Sequence, residues 1–329
     1  MLKIGLLGRG SISYAHTKAY EKIENAKIVA CCDIRPEQLD DIKDARKYTD
    51  IDTFLAEEAG KLDYVDICLP TYLHAEVSIK AMRAGFNVLC EKPMAINSKK
   101  AEEMMQVSEE TGKRLMIAHC SRFIGATRIM KEEILKGEMG KVRNAEYFRQ
   151  GGSRDPMGYK NWFRDETLSG GALLDLQIHD IDVIRGLMGM PNEVCVVGAN
   201  VIPSGNGYDE ASSLLIYDNM HVFVKVDWAI EKNLYDFRVT RINFDNGYMF
   251  LDRTNNRTTF TKVDQNGNVT DLTDKIDTDM YYNEIVYYID CLVNNKPFDL
   301  CPVNESIDAV RIVEAQKRSA DLRGEKVKV

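Results

Sequence analysis

Short apolar runs alternate with amphipathic stretches through the first part of the chain. Apolar runs bounded by turn residues are typical of buried strands, whereas a 3.6-residue apolar period indicates helices. Alternation of the two predicts a parallel sheet covered by helices on both faces. The predicted strands cover residues 2–7, 26–33, 64–69 and 87–90, and the predicted helices cover 14–23, 36–48 and 73–84.

The pattern changes in the second half, where strand-like runs follow one another directly. Turn pairs such as Asp218-Asn219 and Asn246-Gly247 join several of them, as in hairpins. This predicts a large, mostly antiparallel sheet with helices on one face, while the other face needs a partner or polar side chains. The predicted strands are 142–150, 193–200, 212–217, 221–229, 237–244 and 257–262, and the helices are 127–136, 171–188, 279–294 and 304–323.

Length and charge narrow the class of protein. A chain of 329 residues exceeds one usual domain, and we place the boundary so that residues 1–121 and 122–329 form two domains. A net charge of -8 without basic clusters argues against nucleic-acid and membrane partners. The chain shows neither a signal peptide nor 18 consecutive apolar residues, so we expect a cytoplasmic protein. Eight cysteines without a CxxC pair indicate reduced thiols rather than disulfides.

The first strand runs into a glycine turn that is followed by a helix. Gly8 and Gly10 allow a tight turn and a close approach of backbone to a pyrophosphate, and Ser11 and Ile12 open the helix whose amides face that group. Ser13 stands where a third small residue packs the helix on the strand. The segment predicts a Rossmann dinucleotide site, although this motif is weak evidence by itself.

An acidic residue ends the second strand, about 20 residues beyond the turn. Asp33 can accept hydrogen bonds from both hydroxyls of an adenosine ribose and repel a 2′-phosphate, which favours NAD over NADP. Arg35 lies close by and keeps NADP open as a second cofactor. The alternative is that Asp33 only forms a turn before Pro36.

Two further loops leave the carboxyl ends of predicted strands, where ligands of such sheets bind. The first contains Pro70, Thr71 and His74, and the second contains Glu91 and Lys92 before Pro93. A residue before proline is extended or in a turn, and the peptide bond can be cis. We predict that both loops contact the cofactor and that Lys92 lies near the nicotinamide, against the alternative of an ordinary surface lysine.

Titratable groups interrupt the apolar pattern of residues 171–188, which begins after Gly170. Asp175, His179 and Asp182 are spaced i, i+4 and i+7, so a continuous helix would point all three in one direction. Alternatively, Asp175 interacts with the helix dipole and His179 is a core residue. These residues alone leave both interpretations open.

The loop of residues 155–164 combines aromatic and polar side chains. Tyr159 and Trp162 could form a wall for a sugar ring, or Trp162 could simply anchor the loop. The histidines are scattered and lack a metal-ligand spacing, so we expect no metal site. His119 and His221 are predicted to be structural.

Taken together, these segments resemble the glucose-fructose oxidoreductase, inositol dehydrogenase and rhizopine-catabolism (Gfo/Idh/MocA) oxidoreductases over nearly the whole chain. Departures are Ser13, where alanine or glycine is usual, and Ala172, where a third glycine is frequent. The residues that carry the resemblance are the glycine turn with His16, Asp33, Pro70-Thr71 with His74, Cys90-Glu91-Lys92-Pro93-Met94-Ala95, Arg122-Phe123, Asn161-Trp162-Phe163-Arg164, and Gly170 through His179.

The resemblance implies a Rossmann domain followed by an α/β domain whose large open sheet makes homodimers or homotetramers. It also implies catalytic roles for Lys92, Asp175 and His179. We predict substrate contacts from these three together with Arg122, Tyr159 and Trp162.

The reaction that fits these groups is hydride transfer between a secondary alcohol of a sugar, inositol or related polyol and NAD(P). The hydroxyl proton would pass to His179, or to Lys92, and the sequence does not decide between them. Two alternatives stay open: a glycosidase that oxidises its substrate transiently with bound NAD, and a cofactor-binding regulator without chemistry. The particular substrate and the physiological direction are not encoded in any visible motif.

Overall fold

The computed structural model describes residues 1–151, 158–230 and 237–329. The chain divides into two compact units, Met1–Cys120 with Asp279–Ile307, and Ser121–Thr278 with Asp308–Val329. The boundary after Cys120 is one residue from the predicted position. Residues 279–307, which we assigned to the second domain, return to the first unit, because periodicity predicts a helix without showing which core it packs on.

The first unit contains a six-stranded parallel sheet in the order β3-β2-β1-β4-β5-β6. This order reverses direction between β1 and β4, which is the doubly wound arrangement predicted for the dinucleotide domain. Its strands are β1 Leu2–Leu7, β2 Ala26–Cys32, β3 Arg46–Tyr48, β4 Tyr64–Ile67, β5 Asn87–Glu91 and β6 Leu115–Ala118. Its first helices are α1 Ser11–Tyr20, α2 Ile51–Glu58, α3 Thr71–Arg83 and α4 Ser98–Thr111.

The helix predicted over residues 36–48 is wrong. Pro36–Leu39 forms one short 3-10 turn, and Arg46–Tyr48 pairs with β2 as the edge strand β3. Proline starts the turn readily, but the polar residues after it lack a continuous apolar face. The pairing of backbone groups along β2 therefore decides the conformation of Arg46–Tyr48.

A nine-stranded sheet forms the centre of the second unit, in the order β14-β13-β12-β11-β7-β10-β9-β8-β15. Neighbours are antiparallel except β7 and β10, which run parallel, so the prediction of a mostly antiparallel sheet is confirmed. The strands are β7 Val142–Gln150, β8 Glu193–Ala199, β9 Glu210–Ile216, β10 His221–Asp227, β11 Phe237–Phe244, β12 Gly247–Asp252, β13 Thr259–Asp264, β14 Val269–Asp271 and β15 Val327–Lys328. The helices before β8 are α5 Gly125–Lys136, α6 Glu166–Ser169, α7 Gly171–Asp175 and α8 Ile178–Met188.

Burial alternates along the central strands of this sheet. In β10, Val222, Val224 and Val226 are fully buried, whereas the residues between them are partly exposed. On that second face Phe148 contacts Phe223 and Phe237, with ring centroids 5.7 and 6.0 Å apart. The sheet therefore has one packed face and one partly exposed face that carries an aromatic cluster.

Two helices complete the chain, α9 Met280–Val293 and α10 Val303–Asp321. The Asp279 carboxylate accepts a hydrogen bond from the Tyr282 amide at the start of α9, as N-terminal caps do. Tyr288 of α9 is fully buried, and its ring lies 4.9 Å from that of Tyr64 on β4. This aromatic contact shows why the segment belongs to the first unit. Within the described ranges, no helix has both the length and the apolar character needed to cross a membrane.

Candidate active site

The two glycines of the turn after β1 serve different purposes. Gly8 has a φ of +93°, and a Cβ there would lie 2.5 Å from the Cys68 carbonyl oxygen. Gly10 has a φ of -84°, and a Cβ there would meet nothing within 4 Å. Gly8 is thus required by the fold, whereas Gly10 borders open space at the start of α1. Ser11 and Ile12 form the first turn of α1, where backbone amides lack partners within the helix.

Arg9, which the sequence analysis did not single out, braces this turn. Its guanidinium donates to Asp41, Ser13 and Thr17 and lies 3.7 Å from the centre of the Tyr14 ring. Ser13 donates to the Gly10 carbonyl oxygen at 2.7 Å. Ser13 therefore closes the turn by a hydrogen bond as well as by its small size.

Asp33 lies at the end of β2 and is only 8% exposed. It accepts hydrogen bonds from the Arg9 amide at 2.7 Å and from the Arg35 guanidinium at 3.0 and 3.1 Å. Burial would raise the pKa of Asp33, but these bonds outweigh burial and hold the pKa below its usual value. The carboxylate is ionised, and Arg35 lies directly against it.

The loops at the ends of β4 and β5 are joined by His74 of α3. Its ring nitrogens lie 2.7 Å from the carbonyl oxygens of Leu69 and Pro93. Burial lowers the pKa of His74. Pro70 caps α3 and Thr71 is buried in its first turn. His74 thus links both loops through the backbone, and its predicted contact with the cofactor stays a prediction.

Glu91 and Lys92 follow one another at the carboxyl end of β5. Glu91 is buried and accepts a hydrogen bond from the Lys92 amide at 3.0 Å and from His16 at 3.0 Å. Lys92 is partly exposed, and the Lys92–Pro93 peptide bond is cis. The sheet therefore presents the lysine at the end of a strand, as the sequence predicts.

Asp175 and His179 are partly exposed residues of the second unit, on either side of a break between α7 and α8. The Gln177 amide bonds to the Ala172 carbonyl oxygen at 2.9 Å, a spacing of five residues instead of four. The expectation of one continuous helix over residues 171–188 is therefore wrong. Ser121, which the sequence analysis missed, has its hydroxyl 3.5 Å from Nδ1 of His179.

Asp182 does not share the exposure of these two residues. It is fully buried and receives Arg122 in a two-pronged ion pair, with N–O distances of 2.6 and 2.8 Å. Asp175, His179 and Asp182 were expected on one face of a continuous helix, and the break between α7 and α8 removes the basis of that expectation. Arg122 is itself only 7% exposed, and its ion pair with Asp182 gives it a structural role. The substrate contact predicted for Arg122 stays a prediction.

Two more arginine–aspartate pairs hold α8. Arg149 of β7 meets Asp180 at 2.7 and 2.8 Å, and Arg185 of α8 meets Asp308 of α10 at 2.8 Å. The Arg149–Asp180 pair is bidentate, and such pairs fix orientation as well as distance. Helix α8 is therefore held at successive turns, and these contacts position His179 in its first turn.

Part of the aromatic loop also belongs to the second unit, although its residues 155–157 lie outside the described residues. Tyr159 is 45% exposed, whereas Trp162 is partly exposed and stacks on Phe163 with centroids 3.9 Å apart. Arg164 is buried against Trp228. The loop is thus anchored at Arg164, and both predicted roles of Trp162 remain open.

His16, Asp66, Cys68, Glu91 and Glu284 bring potential metal-ligating atoms close together inside the first unit. Both nitrogens of His16, however, lie at hydrogen-bond distance from carboxylates. Hydrogen bonds therefore account for the close contacts of His16 with Asp66 and Glu91.

Fold and site together define a two-domain α/β protein with a dinucleotide-binding unit and titratable residues at strand and helix ends. Residues 2–119 match the model of the oxidoreductase family with an NAD-binding Rossmann fold, and residues 127–249 match the GFO/IDH/MocA C-terminal domain. The chain belongs to the Gfo/Idh/MocA family.

Curated relatives include a 2,7-anhydro-N-acetylneuraminate hydratase of Mediterraneibacter gnavus, 33% identical over 64% of this chain and 56% of the relative. An inositol 2-dehydrogenase of Rhizobium meliloti is 31% identical over 65% of this chain and 64% of the relative. The chain thus spans less than two thirds of the length of these relatives. An aldose-aldose oxidoreductase structure from Caulobacter crescentus shares the fold, with a TM-score of 0.88 at 21% identity over 100% of this chain and 99% of that chain.

Gly8→Ala and Gly10→Ala should separate folding from cofactor binding. Gly8→Ala forces a Cβ against backbone at positive φ and should lower the free energy of unfolding by about 1–3 kcal/mol. Gly10→Ala should leave unfolding nearly unchanged and weaken NAD binding at least about tenfold, because its methyl group fills the open space. Urea unfolding and NAD titration measure the two effects. Equal effects of both variants on unfolding would contradict the distinction.

Arg122→Ala should destabilise the protein by roughly 3–5 kcal/mol, because it leaves Asp182 charged and buried without its partner. Urea unfolding checks the value. Arg143→Ala, which removes an exposed ion pair with Asp245, is the matched control and should change stability little. A small effect of Arg122→Ala would show that the buried pair does not hold α8.

Proposed function

We propose that this protein is an NAD-dependent oxidoreductase that acts on a secondary alcohol of a sugar, inositol or related polyol. The observation that carries the proposal is the presence of Lys92, Asp175 and His179 in the two regions that match the family models. Relatives named inositol 2-dehydrogenase and D-glucoside 3-dehydrogenase support this substrate class.

The first unit fits a dinucleotide by its own geometry. Open space at Gly10 and the start of α1 suit a pyrophosphate, because helix amides and the helix dipole attract anions. The ionised Asp33 suits the ribose hydroxyls. Arg35, held on Asp33, would have to turn away to meet a 2′-phosphate, so NAD is the proposed cofactor and NADP the weaker one.

Hydride removal from a carbinol carbon requires that the hydroxyl group lose its proton. NAD held by the first unit would supply the hydride acceptor. We assign the proton to the His179 imidazole, since an unperturbed imidazole titrates near pH 6.5 and can act as a base at neutral pH. Lys92 as an ammonium binds and polarises the oxygen, while Lys92 as the first base is the alternative.

Asp175 and Ser121 would assist His179 in this scheme. The Ser121 hydroxyl lies near Nδ1, which leaves Nε2 as the nitrogen to take the substrate proton. Asp175 ends α7 four residues before His179 and would orient the substrate and favour the protonated ring. Tyr159 and Trp162 remain proposed contacts for the sugar ring.

A second candidate is a reaction without net oxidation, such as glycosidic cleavage through transient oxidation. The observation that favours it is the relative named as a hydratase, which aligns over 64% of this chain. Net formation of NADH separates the two candidates, because transient oxidation returns the hydride to the substrate.

We also propose a homodimer or homotetramer formed through the nine-stranded sheet. The aromatic cluster of Phe148, Phe223 and Phe237 on its partly exposed face supports this, since contiguous apolar surface marks interaction sites. A location in the cytoplasm remains a sequence prediction.

The function is tested by absorbance of reduced nicotinamide with NAD against inositols, aldoses, glycosides and sugar acids. Growth of the band with one polyol supports the dehydrogenase. Conversion of a glycoside without growth of the band supports the second candidate, and binding of NAD without turnover of any compound contradicts both.

Lys92→Met should lower kcat about 10²–10⁴-fold, because it removes the cation that meets the reacting oxygen, while NAD still binds. Steady-state kinetics and NAD titration are the measurements. Lys100→Met, which alters an exposed lysine paired with Glu103, is the control and should keep full activity. An active Lys92→Met enzyme would refute the catalytic role.

Asp33→Ala should weaken NAD binding about tenfold and improve the relative affinity for NADP, because Arg35 is released from its carboxylate partner. Fluorescence titration with both cofactors measures the change. Asp40→Ala removes an exposed carboxylate of the same unit and should change neither affinity. Unaltered NAD binding in Asp33→Ala would disprove the ribose contact.

A further inference from the structure

A buried charged cluster in the first unit takes no part in the reaction scheme above. At its centre lies His16 of α1, which is fully buried. Its Nδ1 is 2.8 Å from Asp66 of β4, and its Nε2 is 3.0 Å from Glu91 at the end of β5. One imidazole ring thus connects a helix and two neighbouring strands.

The contacts of His16 define its charge. Ionised carboxylates only accept hydrogen bonds, so both ring nitrogens must donate, and only the imidazolium form has two N–H groups. Burial lowers the pKa of His16, but Asp66 and Cys68 together raise it by more, so the pKa lies well above its usual value. The two carboxylate contacts and the raised pKa therefore favour the imidazolium form of His16.

The Asp66 oxygen that faces His16, Oδ2, also accepts a hydrogen bond from a chain of hydroxyl groups. Tyr20 donates to Asp66 at 2.8 Å, and Tyr64 donates to Tyr20 at 3.0 Å. All three side chains are buried, so the acid has a single orientation. The titratable groups around His16 come from the two helices and two strands packed against it. They are Tyr20 of α1, Asp66 of β4, Cys68 directly after β4, Glu91 of β5, and Tyr281 and Glu284 of α9.

Glu91 transmits this arrangement to the proposed catalytic lysine. One carboxylate oxygen receives His16, and the other receives the backbone amide of Lys92. On the far side of Lys92, the Pro93 carbonyl oxygen is held by His74. The lysine therefore stands between two residues that buried histidines hold in place.

We propose that His16 is a positioning residue: as a buried imidazolium it orients Glu91, and through Glu91 the backbone of Lys92. The same ring ties Lys92 to α1, the helix that begins at the glycine turn. This inference rests on the proposed function only in so far as Lys92 is the group whose position matters.

Asp66→Asn tests the proposal, because it keeps an acceptor for Nδ1 but removes the charge that sustains the imidazolium. We expect His16 of this variant to lose its proton as pH rises through the neutral range, and His16 of the native protein to keep it there. We expect kcat of Asp66→Asn to be close to native at pH 6 and about 100-fold lower at pH 9, as misplacement of a reacting group by about 1 Å can cost. Asp52→Asn, an exposed partner of Lys80, should retain the native pH profile.

Nuclear magnetic resonance provides readouts that need no turnover. In the native protein, ring ¹⁵N signals of His16 should show both nitrogens protonated at pH 8. Comparison with the spectrum of Lys92→Arg identifies the backbone amide signal of Lys92. In Asp66→Asn, the chemical shift of this signal should change with pH with the same midpoint as the titration of His16.

The outcomes separate this proposal from the proposed function. Three results would each overturn the positioning role. The first is a neutral His16 at pH 8 in the native protein, and the second is a Lys92 amide signal that does not change as His16 titrates. The third is a ratio of kcat between Asp66→Asn and the native protein that does not depend on pH. Lack of turnover with every substrate, together with the expected titrations, would overturn the proposed function and leave the positioning of Lys92 supported.

Discussion

The hydrogen bonds from His16 to Asp66 and Glu91 join the parts of the first unit on which the proposed chemistry depends. A parallel sheet brings the ends of β4 and β5 to one edge, but it does not fix the side chains that follow. The buried ion pairs supply that precision, because an imidazolium between two carboxylates has little freedom to move and losing any one partner leaves a buried charge unbalanced. The exposed part of the site, at Gly10 and Lys92, is thereby supported by buried contacts.

The second unit uses the same physical principle with different residues. Helix α8 carries Asp180, Asp182 and Arg185, each in a close pair with an oppositely charged side chain. Such pairs contribute less to stability than apolar packing would, but they specify orientation. His179 lies in the first turn of this helix and is therefore held by contacts that its own side chain does not make.

Much of the fold could be predicted from local sequence. The strand β1, the glycine turn and the acid at the end of β2 were all predicted correctly, because turn geometry and apolar runs act over a few residues. Other predictions differ from the structure because tertiary contacts decide them. Pairing along β2 replaces the helix predicted over residues 36–48, and a five-residue hydrogen bond at Gln177 interrupts the helix predicted over 171–188. Packing of Tyr288 places residues 279–307 in the first unit instead of the second. The site shows the same limit: Lys92 could be found from its place after a strand, whereas the link from His16 to Glu91 spans 75 positions and no spacing rule reveals it.

Transfer of deuterium tests the central claim, hydride transfer from a polyol, most directly. A substrate labelled at the reacting carbinol carbon is incubated with NAD and the protein, and the recovered cofactor is analysed by mass spectrometry and proton resonance. We predict that the label appears at C4 of the nicotinamide in an amount equal to the ketone formed. Ketone formed with the label released to water, and none at C4 of the nicotinamide, would contradict hydride transfer as the reaction of this protein.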